Sequence, residues 1–290
     1  MVHTLRISPE RPALGLFTDI IYTNRFNDFR RYNIPMGLHL IRPYSLCGFE
    51  ERLPLFVWAE GGACKSCASA SRLPELSYYA YHGWAVASVQ YRTSNQSIWP
   101  AQIQDLKTAI RYLRAHADEL GVDPDRIVLG GESAGAHLTA LAALTGGTGQ
   151  YQTEEWAHVT DAVQGAVCWY CAGDSSVSFP TLEPEDGPPS PRDLLLNVRT
   201  KEHPERAAAL SAVNYVTKDA PPFLFLHGDQ DHVIPWQNAY ALHEALVEQG
   251  VSSSFCLVEG GSHASAHFAQ APIQQRMLEF MNRCVPKPNK

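Results

Sequence analysis

The chain has 290 residues, 45% hydrophobic and 18% charged, with a formal net charge of −7. That length and composition support a large buried core that needs no staples. An acidic balance with no basic run gives no footprint for nucleic acid or anionic membrane, and no apolar stretch approaches the length of a bilayer span.

Residues 17–24 and 34–43 read as early strands, the second partly alternating as antiparallel edge strands do. Residues 53–60 are a continuous apolar run, the mark of a strand buried on both faces, and 83–92 is another. A helix is predicted between them over 71–82. The stretch 99–121 reads as an amphipathic helix. Ile103, Leu106, Ile110 and Leu113 recur at helical spacing with charges on the other face, Pro100 suits its first turn and Gly121 its stop. A buried strand over 125–131 and a small-residue helix over 133–144 follow. Further strands are predicted within 161–173, 221–231 and 253–261, with helices over 235–250 and 274–284.

Strands alternating with helices predict a mostly parallel sheet covered on both faces, an α/β fold. The whole chain, 1–290, reads as one domain. Residues 174–215 interrupt the alternation. Their 179–193 portion holds five prolines and cannot be a core element, while 203–211 offers a short helix. The segment reads as an excursion over the sheet ends, a small cap placed before the next-to-last strand.

Gly131-Glu132-Ser133-Ala134-Gly135 is a G-x-S-x-G between a buried strand and a helix. The motif alone is weak, but a nucleophile elbow requires that context. Ser133 would project at the helix N-terminus, where the dipole and the N–H of Ala134 face developing negative charge. The plain alternative is a serine N-cap. A serine hydroxyl needs a base, and the base an orienting acid, in the order Ser, acid, His. Asp229 and Asp231 both follow the next-to-last strand, with Glu259 and Asp219 as outsiders. Asp231 is preferred as the acid and Asp229 as a turn former. His263 lies just past two glycines after the last strand and is the preferred base, with His267 as competitor. His137, His227 and His232 read as packing or hydrogen-bonding residues.

With these pieces in place, the chain resembles the α/β-hydrolases, and among them the bacterial carboxylesterases, carbohydrate acetyl and feruloyl esterases and hormone-sensitive-lipase-like esterases. The matching stretches are FVWAEGGA, ASVQYR, PAQIQDLKTAIRYLRA, GVDPDRIVLGGESAGAHL, HPERAAALSAVNYV, APPFLFLHGDQDHVIP and VEGGSHASAHF, in family order over residues 53–285. The resemblance places a triad on Ser133, Asp231 and His263. It also makes the N–H groups of Gly62 and Ala63 partners of Ala134 in an oxyanion hole. The family usually has histidine where this chain has Glu60. A carboxylate aimed into the hole would oppose the oxyanion, so Glu60 is expected to point away and anchor the loop against Arg92.

The resulting expectation is a cytoplasmic serine esterase acting on small or aromatic acyl esters, acetylated or feruloylated carbohydrates among them. It needs no metal or organic cofactor. Its partner is a small-molecule ester, with self-association left open and no nucleic acid or membrane. Trp99, Phe179 and Trp236 fall on loops expected to border the pocket. A serine peptidase of the same fold and a silent interaction protein on that scaffold are the alternatives. The seven cysteines include two C-x-x-C pairs, Cys64/Cys67 and Cys168/Cys171. Neither sits as zinc knuckles or thioredoxin motifs do, so both read as structural thiols.

Overall fold

The continuous apolar runs become the parallel middle of one eight-stranded sheet in a computed structural model that describes residues 3–44, 52–174 and 187–286. Two strands, β1 (Leu14–Asn27) and β2 (Tyr32–Pro43), form an antiparallel hairpin at one edge. Next in sequence come β3 (Leu53–Ala59), α1 (Leu73–Tyr81), β4 (Ala85–Val89), α2 (Ala101–Ala115), α3 (Ala117–Leu120), β5 (Val122–Glu132), α4 (Ala134–Leu144) and β6 (Gly165–Trp169). The chain closes with α5 (Pro191–Leu196), α6 (Pro204–Ala207), β7 (Phe223–Gly228), α7 (Trp236–Glu248), β8 (Ser253–Val258) and α8 (Ala271–Cys284). Strand order is β1-β2-β4-β3-β5-β6-β7-β8, and every pairing from β4 to β8 is parallel.

β3, β4, β5 and β6 are sealed because helices cover both faces. One core gathers Leu55, Val57, Leu106, Ile110, Leu129 and Leu141, and another gathers Phe56, Trp58, Val128, Trp169, Met277 and Phe280. Gly121 ends α3 in the left-handed region, φ 64°, as its predicted stopping role requires.

The charged face of α2 departs from the amphipathic expectation, because Asp105, Lys107 and Arg111 are all fully buried. β1 and the 145–161 connection lie over that face, so each charge must find a protein partner. Asp105 takes Arg25 Nε at 2.8 Å and Arg92 Nε at 2.8 Å, tying the edge hairpin to α2 and to the loop after β4. Asp161 takes Arg111 at 3.1 Å and Lys107 at 3.4 Å, and Lys107 also donates to the carbonyls of Thr145 and Gln150.

The 174–215 excursion is described at Asp174 and from 187 onward. Ser190 and Asp193 cap α5 reciprocally, and Asp193 also accepts from the N–H and hydroxyl of Thr200. Leu195, Leu196 and Leu210 then pack on Cys64 of the loop after β3.

Removing Asp105 would leave the buried Arg92 guanidinium without its carboxylate and take from Arg25 one of its two. Asp105→Ala is expected to lower stability by about 3–5 kcal/mol, read as a shifted denaturant midpoint at unchanged slope.

Candidate active site

The elbow after β5 is built by close approach. A Cβ on Gly135 would lie 2.0 Å from the Ala59 carbonyl oxygen, and one on Gly131 2.6 Å from the Gly135 carbonyl. Only glycine lets the first turn of α4 sit on the end of β3. Between them Ser133 adopts φ 53°, ψ −119°, a conformation L-residues avoid, and presents its hydroxyl at the head of α4.

Three loops converge on that hydroxyl. His263 Nε2 lies 3.0 Å from Ser133 Oγ, and His263 Nδ1 lies 2.8 Å from Asp231 Oδ2. The structure thus brings together the three residues chosen from the sequence, although 130 positions separate the serine from the histidine. Asp229 instead accepts from the Gly260 N–H at 2.7 Å, a turn contact. His267 meets Ser265 at 3.1 Å.

Asp231 is buried, which by itself favours the neutral acid. Hydrogen bonds from His227 and His263, the His263 charge and the Ile234 N–H outweigh burial and hold the carboxyl well below the usual carboxylate range. Asp231 Oδ1 accepts from the N–H groups of Val233 and Ile234, both at 2.9 Å. His227 is sealed beneath, with Nε2 2.9 Å from the Ile234 carbonyl and 3.3 Å from Asp231 Oδ2. A carbonyl can only accept, so Nε2 carries the proton and points it at the same acid His263 uses. The sequence reading gave His227 a hydrogen-bonding part but not this target.

The loop after β3 carries Gly62 at φ 116°, where a Cβ would meet the Ser66 carbonyl oxygen at 2.4 Å. Gly62, Ala63 and Ala134 line the same cavity as Ser133. Among the described residues no protein acceptor meets their N–H groups, which leaves them available to a ligand oxygen.

That cavity encloses about 340 Å³ and is mostly apolar. Leu195, Leu210, Val233 and Ile234 form its walls, while His137, Asp174 and Arg192 supply polar groups. The expectation for the tryptophans is corrected. Trp99 stands behind Leu195, donating its N–H to the Leu195 carbonyl at 2.8 Å and packing edge-on against Tyr151. Trp236 packs on Tyr240 and Phe255, toward β8. Neither lines the cavity, and Phe179 lies outside the described residues. Cys64 does line it, which its reading as a structural thiol missed. Burial pushes the Cys64 and Cys67 thiols up to about 12, and Cys168 and Cys171 are sealed in the interior.

Glu60 is buried and absent from the cavity wall, but its expected partner is wrong. Arg92 is taken by Asp105. Glu60 Oε1 accepts instead from the Arg72 backbone N–H at 3.1 Å.

The BD-FAE family model matches residues 44–246. Esterase LipC of Mycobacterium tuberculosis is 36% identical over 197 residues, 67% of this chain and 48% of that protein. Esterase LipQ of the same organism is 32% identical over 237 residues, 79% of this chain and 53% of that protein. The chain spans about half the length of these curated relatives. Among solved structures, a truncated carbohydrate esterase from gut microbiota has a TM-score of 0.77 at 25% identity, covering 96% of this chain and 100% of that one. Esterase 2 of Thermogutta terrifontis, phosphoramylated by tabun, shares the fold at TM-score 0.74 and 23% identity, covering 98% of this chain and 100% of that one.

His137 lies one turn below Ser133 with Nδ1 2.8 Å from the Ala172 carbonyl, so Nδ1 carries the proton. Burial pushes its pKa down to about 4 despite that bond, with the Arg192 charge adding to the fall. His137 is therefore expected to stay neutral throughout the neutral range. Imidazole NMR resonances assigned by their loss in His137→Gln should not titrate between about pH 5.5 and about pH 8, where a free histidine would.

Proposed function

Because the chain belongs to the BD-FAE family of α/β-hydrolases, we propose that it hydrolyses carboxylic esters, with Ser133 as the nucleophile. The observation that carries this reading is the hydrogen-bond chain from Asp231 through His263 to Ser133, ending in a cavity beside three N–H donors.

In this reading the ester carbonyl sits over Ser133, and its oxygen turns toward Gly62, Ala63 and Ala134. His263 Nε2 takes the serine proton as Oγ attacks. Asp231 holds the imidazole in the tautomer that leaves Nε2 free to accept and stabilises the imidazolium that forms. Its ionised state makes it fit for that part. The three N–H groups meet the oxyanion of the tetrahedral intermediate, and each such donor is worth about 3 kcal/mol of barrier. His263 then returns the proton to the leaving alkoxide. Water repeats the sequence on the acyl-enzyme, again deprotonated by His263, and restores Ser133. No step calls for a metal or an organic cofactor.

A cavity of about 340 Å³ suits a short or single-ring acyl ester. The 174–215 segment would act as the cap, because Pro191, Arg192, Leu195 and Leu210 close one side of the cavity. Acetylated or feruloylated carbohydrates are the substrates this reading favours, in line with the carbohydrate esterase whose structure the chain resembles.

Ser133→Ala is expected to cut kcat for p-nitrophenyl acetate by at least about 10³-fold with its folding unchanged. Unchanged hydrolysis would remove the serine mechanism. Faster turnover of a peptide nitroanilide than of the ester would favour a peptidase. Acetylated and feruloylated sugars, assayed beside p-nitrophenyl acyl esters with Ser133→Ala as blank, would identify the natural class.

A further inference from the structure

Behind the elbow, four side chains form a cluster to which the reaction above gives no part. Glu60 follows β3 and Glu132 ends β5, and the two are 2% and 7% exposed. Arg72, at the head of α1, grips Glu132 with Nη2 at 2.7 Å and Nε at 3.1 Å from Oε2. Its own backbone N–H donates to Glu60 Oε1 at 3.1 Å. The Tyr170 hydroxyl donates to Glu132 Oε2 from the far side, and the Tyr170 ring lies 4.6 Å from the His263 ring.

Arg72 holds both carboxyl groups, one through its backbone N–H and the other through its guanidinium, and a Cβ on Gly61 would stand 3.3 Å from Glu132 Cγ. Two buried acids thus meet at one guanidinium, which can neutralise only one of them, so the other carries a proton. The partners decide which. Glu132 meets a guanidinium fork and a phenol, a setting for an anion. Glu60 meets one backbone N–H and the Ser71 side chain, with no cation of its own among the described residues. Burial, then Glu132, push the Glu60 carboxyl up to about 8. At Glu132 burial acts the same way, but Arg72 and Tyr170 outweigh it and hold that carboxyl below its ordinary value.

The loop that follows Glu60 starts beside the elbow. The Tyr91 hydroxyl donates to the Glu60 carbonyl at 2.7 Å. A Cβ on Gly61 would lie 3.2 Å from both the Glu132 carbonyl oxygen and the Ser133 Cβ. Glu60 and Glu132 thus stand at the root of the loop and the root of the elbow.

We propose that protonated Glu60 donates its O–H to the Glu132 carboxylate, and that this bond, with Arg72 spanning both acids, fastens the oxyanion loop to the nucleophile elbow. Glu60 is then a positioning residue for the N–H groups of Gly62 and Ala63. The inference rests on the esterase reading for its catalytic consequence, not for the bond itself. The other titratable groups facing the pair are Tyr91 from the loop after β4, Cys67 from the oxyanion loop, and Tyr170 after β6, all neutral at neutral pH. Glu75 reaches only the outer side of Arg72, at 3.7 Å. Losing the Glu60 proton sets two carboxylates face to face across one guanidinium, and the loop must move from the elbow. Donors aimed at an oxyanion act in the transition state, so kcat should fall while KM holds.

The test measures kcat and KM for p-nitrophenyl acetate from about pH 6 to about pH 10, with Ser133→Ala as blank. Wild-type kcat is expected to decline with a midpoint near pH 8, with KM changed less than about twofold. Glu60→Gln replaces the O–H donor by an amide N–H that cannot ionise. It should lack the decline and exceed wild type by roughly tenfold at about pH 9. Glu60→Leu, with no donor, should lose at least about tenfold in kcat at every pH. An alkaline decline that survives in Glu60→Gln, or wild-type kcat in Glu60→Leu, overturns the positioning role. Infrared difference spectra provide a readout independent of turnover. A protonated-carboxyl C=O band should be present at about pH 6, lost by about pH 9 and absent from Glu60→Gln. No band at about pH 6 overturns the pair. A band in a protein that hydrolyses no ester retains the pair and removes the esterase reading alone.

Discussion

Gly135 against the carbonyl of Ala59 is the contact from which the rest of this site is built. With 2.0 Å between that oxygen and where a Cβ would stand, the first turn of α4 rests directly on the end of β3. Two consequences follow together. Ser133 must take a conformation that lifts its hydroxyl clear of the sheet, and the chain leaving β3 must pass beside the same turn. The Ser133 hydroxyl and the N–H groups of Gly62 and Ala63 therefore come from segments about 70 residues apart that share one steric constraint. The strain at Ser133 persists because β5 and α4 are sealed on either side of it and leave no room to relax.

The parallel sheet explains why the other two residues arrive at the same place. All strands from β4 to β8 point one way, so the loops after β5, β7 and β8 open on one edge, where Ser133, Asp231 and His263 meet. Buried charge stabilises the periphery of this arrangement. Asp105 joins the edge hairpin to α2, and Asp161 joins α2 to the 145–161 connection. Pairs of this kind contribute little net stability against well-packed apolar residues, but leaving one partner alone is costly, so they fix which surfaces meet.

Strand and helix succession is legible in the sequence because apolar runs and helical stripes are local signals. Ser133 is legible because glycines stand two residues to either side of it between a strand and a helix, and Asp231 and His263 because they follow the last two parallel strands. What escapes is the far side of each residue. The polar stripe of α2 has the spacing of a solvated face, and no local pattern says that β1 and the 145–161 connection will cover it. Arg92 is a natural partner for Glu60 because β3 and β4 are paired, with Ala59 opposite Val89. Past the end of β4 the partners are divided otherwise: the Tyr91 hydroxyl reaches the Glu60 carbonyl, and the Arg92 guanidinium is taken by Asp105 of α2. The cavity wall escapes for a similar reason. Trp99 lies on the right loop, but Leu195 of the excursion stands in front of it.

Glu60 shows how such a site can carry an acid beside the free N–H groups of Gly62 and Ala63. Glu132 and Arg72 cancel as a pair, so the cluster is neutral when Glu60 holds a proton and carries one negative charge when it does not. An ionised acid here would repel any negative charge that develops beside the N–H groups its loop delivers. A protonated one does no such harm, and its O–H supplies a link between loop and elbow that a carboxylate could not. The desolvation that makes this position hostile to charge keeps the proton in place, so the penalty for burying the acid and the link that holds the loop have one origin.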